Sequence, residues 1–205
     1  MATETRVAVF IDYQNTYMGA RNAFCPQSSN HIDGQINPLA LAGILKGVRS
    51  PHRQLVGVWI YRGLPSGEHD RKAFGAATRQ VAMWDKHPLV HPRTRPLNYR
   101  VPDQPREKGI DVLLAIDFVT MALRNQYDVG VPVSADTDLM PALETVIDHR
   151  RSDAAVEVAG WVPADGRPPN VLGVKGHVIH KHGLHYREYS MVHDATDYLV
   201  RRRRR

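Results

Sequence analysis

Four aspartates stand where this 205-residue sequence passes from apolar runs into turns or helices. Asp12 directly follows the run RVAVFI, Asp136 and Asp138 follow DVGVPVS, and Asp111 lies at the start of the apolar stretch IDVLLAIDFVTMALR. Carboxylates gathered at one place repel one another, and a divalent cation relieves that repulsion. Without Cys or His partners, such a cluster favours Mg²⁺ or Mn²⁺ over Zn²⁺. A cation bound there can lower the pKa of a bound water and stabilise charge on a phosphoryl group.

Each aspartate also has a purely structural interpretation. Asp111 suits the first turn of a helix, where the helix dipole favours an acid. Asp136 can cap the helix that follows it, and Asp138 can be an ordinary first-turn acid. Asp12 is harder to explain in this way, because an acid at the edge of an apolar core is costly unless something pairs with it.

The elements that must position these residues alternate between strand and helix patterns. Short runs that are rich in β-branched or aromatic residues and apolar on both faces are typical of buried parallel strands. Helical spacing lies between them, which predicts a Rossmann-like, three-layer α/β sandwich with a mainly parallel sheet. The predicted strands are 6–11, 55–61, 128–134 and 154–161, with a short fifth at 184–189. The predicted helices begin near Pro38 and cover 69–84, 110–124 and 138–149; segment 110–124 is apolar nearly all round and should be well buried.

The strand ends are where a parallel sheet binds its ligands, and both Asp12 and Asp136 follow such ends. Pro132 conflicts with this simple assignment, because it lacks the N–H that the interior of a strand needs. The third strand therefore lies at an edge, is bulged at Pro132, or is shorter than 128–134.

Composition describes one globular domain over residues 1–200, with 42% hydrophobic and 23% charged residues. No apolar run approaches the roughly 20 residues needed to cross a bilayer, so we expect no membrane contact. The N-terminus lacks a basic stretch followed by an apolar core, and we expect no signal peptide. The single cysteine, Cys25, cannot form an internal disulfide, which fits a reducing, cytoplasmic setting.

Positive charge is concentrated in two segments. The net charge of +6 owes five charges to the arginines at 201–205, which we expect to form a disordered tail. That tail is either solvated without a specific partner or adds salt-sensitive attraction to phosphates. The segment 86–108 is basic and rich in proline, and is either a solvated loop or one wall of an RNA groove. In the second case phosphates contact the arginines and a base stacks on the tyrosine: Arg93, Arg95, Arg100, Arg106 and Tyr99.

Three sequence blocks resemble a known family. VFIDYQN at 9–15, KGIDVLLAID at 108–117 and VSADTDLMPALE at 133–144 are similar, in order, to the signature blocks of the NYN domain. This family belongs to the PIN-like superfamily of metal-dependent ribonucleases and includes the bacterial LabA-like proteins. The resemblance implies a Rossmann-like PIN fold, a Mg²⁺ or Mn²⁺ site at the carboxyl edge of the sheet, and hydrolysis of RNA phosphodiester bonds by activated water.

The resemblance also implies roles for individual residues. Asp12, Asp111 and Asp136 would be metal ligands, and Asp138 a direct or water-mediated companion. Polar residues near these aspartates in the sequence would contact the substrate or orient the carboxylates. Asn15 would hold Asp12 or contact substrate, Ser134 and Thr137 would orient carboxylates or a phosphate, and Lys108 would meet the scissile phosphate.

Three further features bear on that resemblance. Residue 135 is Ala where many relatives have Gly or Asn, and Pro132 in the strand leading to the site could shift Asp136 relative to Asp12. Asp117 lies six residues after Asp111, so helical geometry points it to a different side and favours at most an outer role.

The sequence also contains a group of histidines and is compatible with two other functions. His177, His180, His182 and His185 match no zinc spacing and favour a basic surface loop or hairpin. The first alternative to a ribonuclease is a catalytically weak regulatory protein that binds RNA or a nucleotide in the same acidic pocket. The second is a phosphohydrolase with an aspartyl nucleophile, which usually carries its D-x-D motif after the first strand rather than the third. The expected partner is RNA, and a homodimer is compatible with the sequence.

Overall fold

A single parallel sheet organises the protein. The computed structural model describes residues 4–47, 52–99, 108–165 and 167–200. Within these ranges the strands are β1 Thr5–Asp12, β2 Arg53–Leu64, β3 Val90–Pro96, β4 Val129–Val133, β5 Glu157–Trp161 and β6 His180–Leu184. The α-helices are α1 Tyr13–Phe24, α2 Pro38–Gly47, α3 Arg71–Trp84, α4 Ile110–Leu123, α5 Met140–Arg150 and α6 Tyr186–Val192. Short 3₁₀ helices at Thr137–Leu139 and Asp153–Ala155 precede α5 and β5.

The strands are ordered β3-β2-β1-β4-β5-β6, and every pair is parallel. The chain runs outward from β1 in one direction to β3, then returns to the middle and runs outward from β4 to β6. This is the strand order of the doubly wound fold, and its direction reverses between β1 and β4. The predicted Rossmann-like, mainly parallel sheet is therefore confirmed, and the crevice where such sheets bind ligands lies beside the ends of β1 and β4.

Helices cover both faces of the sheet because successive strand residues point to opposite sides. Val7, Val9 and Ile11 of β1 pack in one core with residues of α1, α2, α3 and α6. Ala8 and Phe10 point the other way and pack with α4 and α5 in a second core. All five of these side chains are fully buried, which explains why β1 is apolar without alternation.

The sequence did not reveal β3 as a strand. Val90–Pro96 lies inside the proline-rich segment 86–108, which pattern alone described as a loop. The strand is an edge of the sheet, where a proline that lacks an N–H can be accommodated. The rest of the segment is described only up to residue 99 and again from residue 108, so Arg100 and Arg106 lie outside the described residues.

The predicted strand at 184–189 was wrong. β6 ends at Leu184, and α6 begins two residues later. His185 and Glu188 form a reciprocal capping box, in which the Glu188 carboxylate accepts from the His185 backbone N–H at 2.9 Å. This local pairing starts a helix at residues where a short fifth strand is predicted from the sequence.

Pro132 does not place β4 at an edge. All five residues of β4, Val129–Val133, pair in register with β1, so the strand is central. Toward β5 the described pairs are Gly130 with Val156 and Val133 with Ala159, with none recorded between them. We attribute this gap to the missing N–H of Pro132, which leaves the ladder toward β1 intact and so keeps the end of β4 beside the end of β1.

Helix α4 is less buried than its composition predicts. One side packs on the sheet, but the opposite side leaves Val112, Ile116 and Leu123 exposed by 55%, 56% and 50%. The prediction failed because α4 is an outer layer, and an outer helix buries only the face it turns to the sheet. Among the described residues, no helix is long and apolar enough to span a bilayer.

An ionic cluster is buried at the amino edge of the sheet, where β2, β5 and β6 begin. Glu157 is fully buried and receives hydrogen bonds from the guanidinium of Arg53 at 2.5 and 3.1 Å. His182 Nε2 lies 2.8 Å from the same carboxylate. The prediction of a histidine-rich surface loop is therefore partly wrong. His182 is a buried partner of Glu157, and the ring of His180 packs edge-on against the ring of His182.

Candidate metal centre

Asp12 ends β1 and caps α1. Its carboxylate accepts a hydrogen bond from the backbone N–H of Asn15 at 3.1 Å, and its side chain is almost buried. The N-terminus of α1 therefore faces this negative charge, which the helix dipole stabilises. The cost of an acid at the edge of the apolar core is offset by these local donors.

Ser134 joins Asp12 to the loop that follows β4. Its buried hydroxyl donates to Asp12 Oδ2 at 3.1 Å and accepts from the backbone N–H of Asp136, also at 3.1 Å. Asn15 strengthens the same junction, because its side-chain oxygen accepts from the backbone N–H of Ala135 at 2.9 Å. The ends of β1 and β4 are thus held together by polar contacts as well as by strand pairing.

Asp136 and Asp138 are presented by the 3₁₀ helix Thr137–Leu139. The Asp136 carboxylate caps this helix by accepting from the Asp138 backbone N–H at 3.0 Å. The predicted capping role of Asp136 is therefore correct. Among the contacts described, this cap engages only one of the two carboxylate oxygens of Asp136. Asp138 is exposed and Asp136 half-buried, so both can face a ligand in the crevice.

Asp111 enters from the opposite side of the crevice, in the first turn of α4. Gly109, the residue before α4, has a left-handed backbone with φ of 73°, which suits glycine. One carboxylate oxygen from each of Asp111, Asp136 and Asp138 lies within 4.8 Å of the other two. Asp111 and Asp136, which are 25 residues apart in the chain, thus belong to one acidic cluster. The sequence alone did not establish this proximity.

The three clustered carboxylates supply only oxygen ligands. This donor set fits a hard cation such as Mg²⁺ or Mn²⁺, which prefers oxygen and keeps part of its water shell. Asp12 does not belong to the group within 4.8 Å; its link to Asp136 passes through the hydroxyl of Ser134. Of the four predicted aspartates, three therefore converge directly and the fourth holds the loop that carries two of them.

The other predicted site residues surround this cluster unequally. Thr137 and Lys108 are exposed beside it, on the 3₁₀ helix and just before α4. Ala135 needs no glycine-like backbone: among the described residues, non-glycine positions with positive φ are confined to Asn125 and Arg151. The departure from the family pattern at residue 135 is thus compatible with the loop as it stands.

Two arginines on β3 point toward α4. Arg93 donates to both oxygens of Asp117 at 3.0 and 3.3 Å, and this pairing raises the pKa of Arg93. Tyr61 donates to Asp117 at 3.0 Å as well, so Asp117 is engaged by protein groups. Arg95 is exposed, and a side chain at Gly109 would begin 4.0 Å from its guanidinium carbon. Arg95 therefore stands next to the start of α4, at Gly109, which is two residues before Asp111 in the chain.

Sequence patterns missed the part played by Tyr61. It ends the run LVGVWIY as Asp12 ends its own run, and the two residues are register partners in the sheet. That parallel position is the signal that could have identified it. Tyr99, expected to stack on a base, already stacks on His69 with ring centroids 4.0 Å apart. Its hydroxyl accepts from the backbone N–H of Ser66 at 2.9 Å, so it fastens the segment after β3 to the one after β2.

A doubly wound parallel sheet with clustered carboxylates at its switch point defines a Rossmann-like protein with an acidic site suited to a cation. A family model described as "NYN domain" matches residues 6–168, which is most of the chain. The protein belongs to the NYN family, as the three sequence blocks indicated. NYN domains fall in the PIN-like nuclease superfamily, whose nucleases are metal-dependent.

A solved structure supports the fold independently. It is a protein of unknown function from Vibrio parahaemolyticus, similar with a TM-score of 0.52 over 78% of this chain and 83% of that chain. The sequences are 15% identical, so the likeness concerns the fold alone. None of the curated proteins compared with this chain matches it.

Proposed function

We propose that this protein is a Mg²⁺- or Mn²⁺-dependent ribonuclease that hydrolyses phosphodiester bonds in RNA. The observation that carries this proposal is the convergence of Asp111, Asp136 and Asp138 within 4.8 Å at the carboxyl edge of an NYN-family sheet. A cation bound between these three carboxylates would relieve their mutual repulsion. The single cysteine fits the cytoplasm as the compartment.

The four aspartates would have separate roles. Asp111, Asp136 and Asp138 would hold the cation, and Asp12 would fix the loop after β4 through Ser134. When bound, the cation supplies an activated water and stabilises the charge that develops on the phosphoryl group. Each carboxylate would offer the cation one oxygen, and the second oxygen of Asp138, which is exposed, would be available to accept a proton from that water.

RNA would approach over the basic side of the crevice. Arg95 lies beside the start of α4, and Lys108 is exposed just before Gly109. Arg93 is half exposed but tied to Asp117, so it offers phosphates a charge whose orientation is fixed. Asn15 and Thr137 border the other side and complete the proposed set of substrate contacts.

The decisive experiment is cleavage of a panel of labelled RNAs by purified protein, with and without added Mn²⁺ or Mg²⁺. We expect cleavage with either cation and none in EDTA, restored when the cation is returned in excess. Calorimetric titration with Mn²⁺ should show binding in the same concentration range. Metal and RNA binding without cleavage of any RNA would instead favour a regulatory protein that uses the same acidic pocket.

Arg95 provides a test of the RNA path. We expect Arg95→Ala to weaken binding of single-stranded RNA about three- to tenfold at low salt, and to reduce the slope of log K against log salt by about 0.7, because one phosphate contact is lost. The measurement is fluorescence anisotropy over a series of salt concentrations. Arg124→Ala removes an exposed arginine at the far end of α4 and should leave both quantities unchanged. Equal slopes for the two variants would remove Arg95 from the path.

A further inference from the structure

A second cavity adjoins the acidic cluster on the other face of the sheet. It has a volume of about 440 Å³ and lies between α1, the ends of β4 and β5, and Pro163, Arg167, Pro168 and Asn170. Cavities that hold small ligands are of this size. None of the roles assigned above uses its outer walls, which include Met18 and Asn22 of α1 and Pro163 and Asn170 after β5.

The cavity borders the loop after β4, which carries Asp136 and Asp138 of the proposed metal centre. Asn15, Ser134 and Ala135 line it, and Ala135 directly precedes Asp136. These are the same residues that join the ends of β1 and β4 by hydrogen bonds. A group bound in the cavity would therefore contact the loop that carries Asp136.

The floor of the cavity is tightly built. Trp161 is almost buried, and its indole N–H donates to the carbonyl of Thr16 at 2.8 Å, which fixes the ring. A side chain at Gly19 would begin 3.0 Å from that ring, and one at Gly160 would begin 2.6 Å from the carbonyl oxygen of Asn170. The close approach of α1 and Asn170 to β5 thus depends on glycine at two positions.

The walls combine apolar surfaces with amide groups. Met18, Pro163 and Pro168 offer flat or flexible apolar contacts. Asn22 and Asn170 are exposed at the rim, and each carries both a hydrogen-bond donor and an acceptor. Apolar faces with amides at the edge match a nucleobase, which has an apolar face and a polar rim.

We propose that this cavity binds one unpaired nucleoside of the RNA chain next to the scissile phosphate, and so restricts the enzyme to single-stranded RNA. The inference rests on the proposed ribonuclease function and specifies its substrate. A base held in a duplex cannot enter a cavity of this kind, because its polar edge is paired and its faces are stacked. Specific recognition of RNA commonly uses bases that are free of both constraints.

The test measures binding without cleavage. Labelled single-stranded RNA tetranucleotides of each base, and an RNA duplex, are titrated with the full-length protein in EDTA and followed by anisotropy; the four nucleoside 5′-monophosphates serve as competitors. We expect single strands to bind at least about tenfold more tightly than the duplex, with a preference among bases. Asn22→Ala and Asn170→Ala should each weaken binding about three- to tenfold, the effect of one hydrogen bond.

A larger side chain sharpens the test. Asn22→Trp places a large ring in the cavity from an exposed position of α1, and it should weaken binding of single-stranded RNA more than tenfold. Thermal unfolding of this variant checks that it is folded. Gln54→Ala, an exposed amide near the opposite edge of the sheet, is the control and should bind as the unaltered protein does. Unchanged binding by Asn22→Trp, or equal affinity for duplex and single strand, would overturn the proposal.

The outcomes separate this inference from the proposed function. Metal-dependent cleavage with unchanged binding and base preference in the cavity variants would retain the ribonuclease and reject the nucleoside site. Binding that depends on Asn22 and Asn170, in a protein that cleaves no RNA, would retain the site and reject the ribonuclease.

Discussion

Replacing Asp136 with Asn should reduce metal-dependent RNA cleavage by about a thousandfold or more, which corresponds to several kcal/mol of lost transition-state stabilisation. Asparagine has nearly the same shape and retains an oxygen that can accept from the Asp138 backbone N–H, so the 3₁₀ helix should keep its cap. The substitution removes a negative charge from the cluster of three carboxylates while leaving the local backbone in place.

The matched control is Asp148→Asn, which makes the same change of charge at an exposed position of α5. Initial rates with labelled RNA and Mn²⁺, together with calorimetric Mn²⁺ affinity, are the measurements. We expect Asp136→Asn to lose both activity and cation affinity and Asp148→Asn to lose neither. Cleavage by Asp136→Asn at the unaltered rate would place the activity at another site or in a contaminant.

The second large effect concerns stability rather than catalysis. Glu157→Gln should lower the free energy of unfolding by about 3–5 kcal/mol, because it leaves the buried guanidinium of Arg53 without a charged partner. For a domain of this size that loss lowers Tm by roughly 6–20 °C. Circular dichroism at neutral pH measures both quantities, and Glu144→Gln on the exposed face of α5 is the control with the same change of charge.

The same residue predicts a dependence on pH. Burial raises the pKa of Glu157, but the hydrogen bonds from His182 and Arg53 outweigh it and lower that pKa to about 2 from an ordinary value of 4.5. A carboxyl group with a depressed folded-state pKa stabilises the protein above its unfolded pKa and loses this contribution as pH falls toward the folded value. The difference in Tm between the unaltered protein and Glu157→Gln should therefore shrink from pH 4.5 to about 2. A constant difference over that range would contradict the assignment.

Much of the centre of the sheet follows from local pattern. β1 and β4 are apolar without alternation because both of their faces are covered, and this made them recognisable at 6–11 and 128–134. Asp12 and Asp136 follow those runs, so their position at the carboxyl edge was predictable from the same pattern. The resemblance of three sequence blocks to the NYN family added Asp111 to the predicted metal ligands.

Other features depend on contacts between distant parts of the chain. β3 carries two prolines and no continuous apolar pattern, and it is a strand because β2 offers it an edge. Helix α4 looks fully apolar, yet its outer face is exposed because no further layer covers it. Local periodicity describes how one segment can fold, and it carries no information on which partner will be present.

For this protein, the sequence by itself determined that acidic residues follow two buried strands and that their blocks are those of an NYN domain. The tertiary structure decided that Asp111 meets Asp136 and Asp138, that Asp12 acts on them through Ser134, and that Arg93 is tied to Asp117 while Arg95 is not. The physical reason is that each of these contacts joins separate elements. The side chains meet because β1 lies beside β4 in the sheet and α4 packs against the face that carries Ala8 and Phe10.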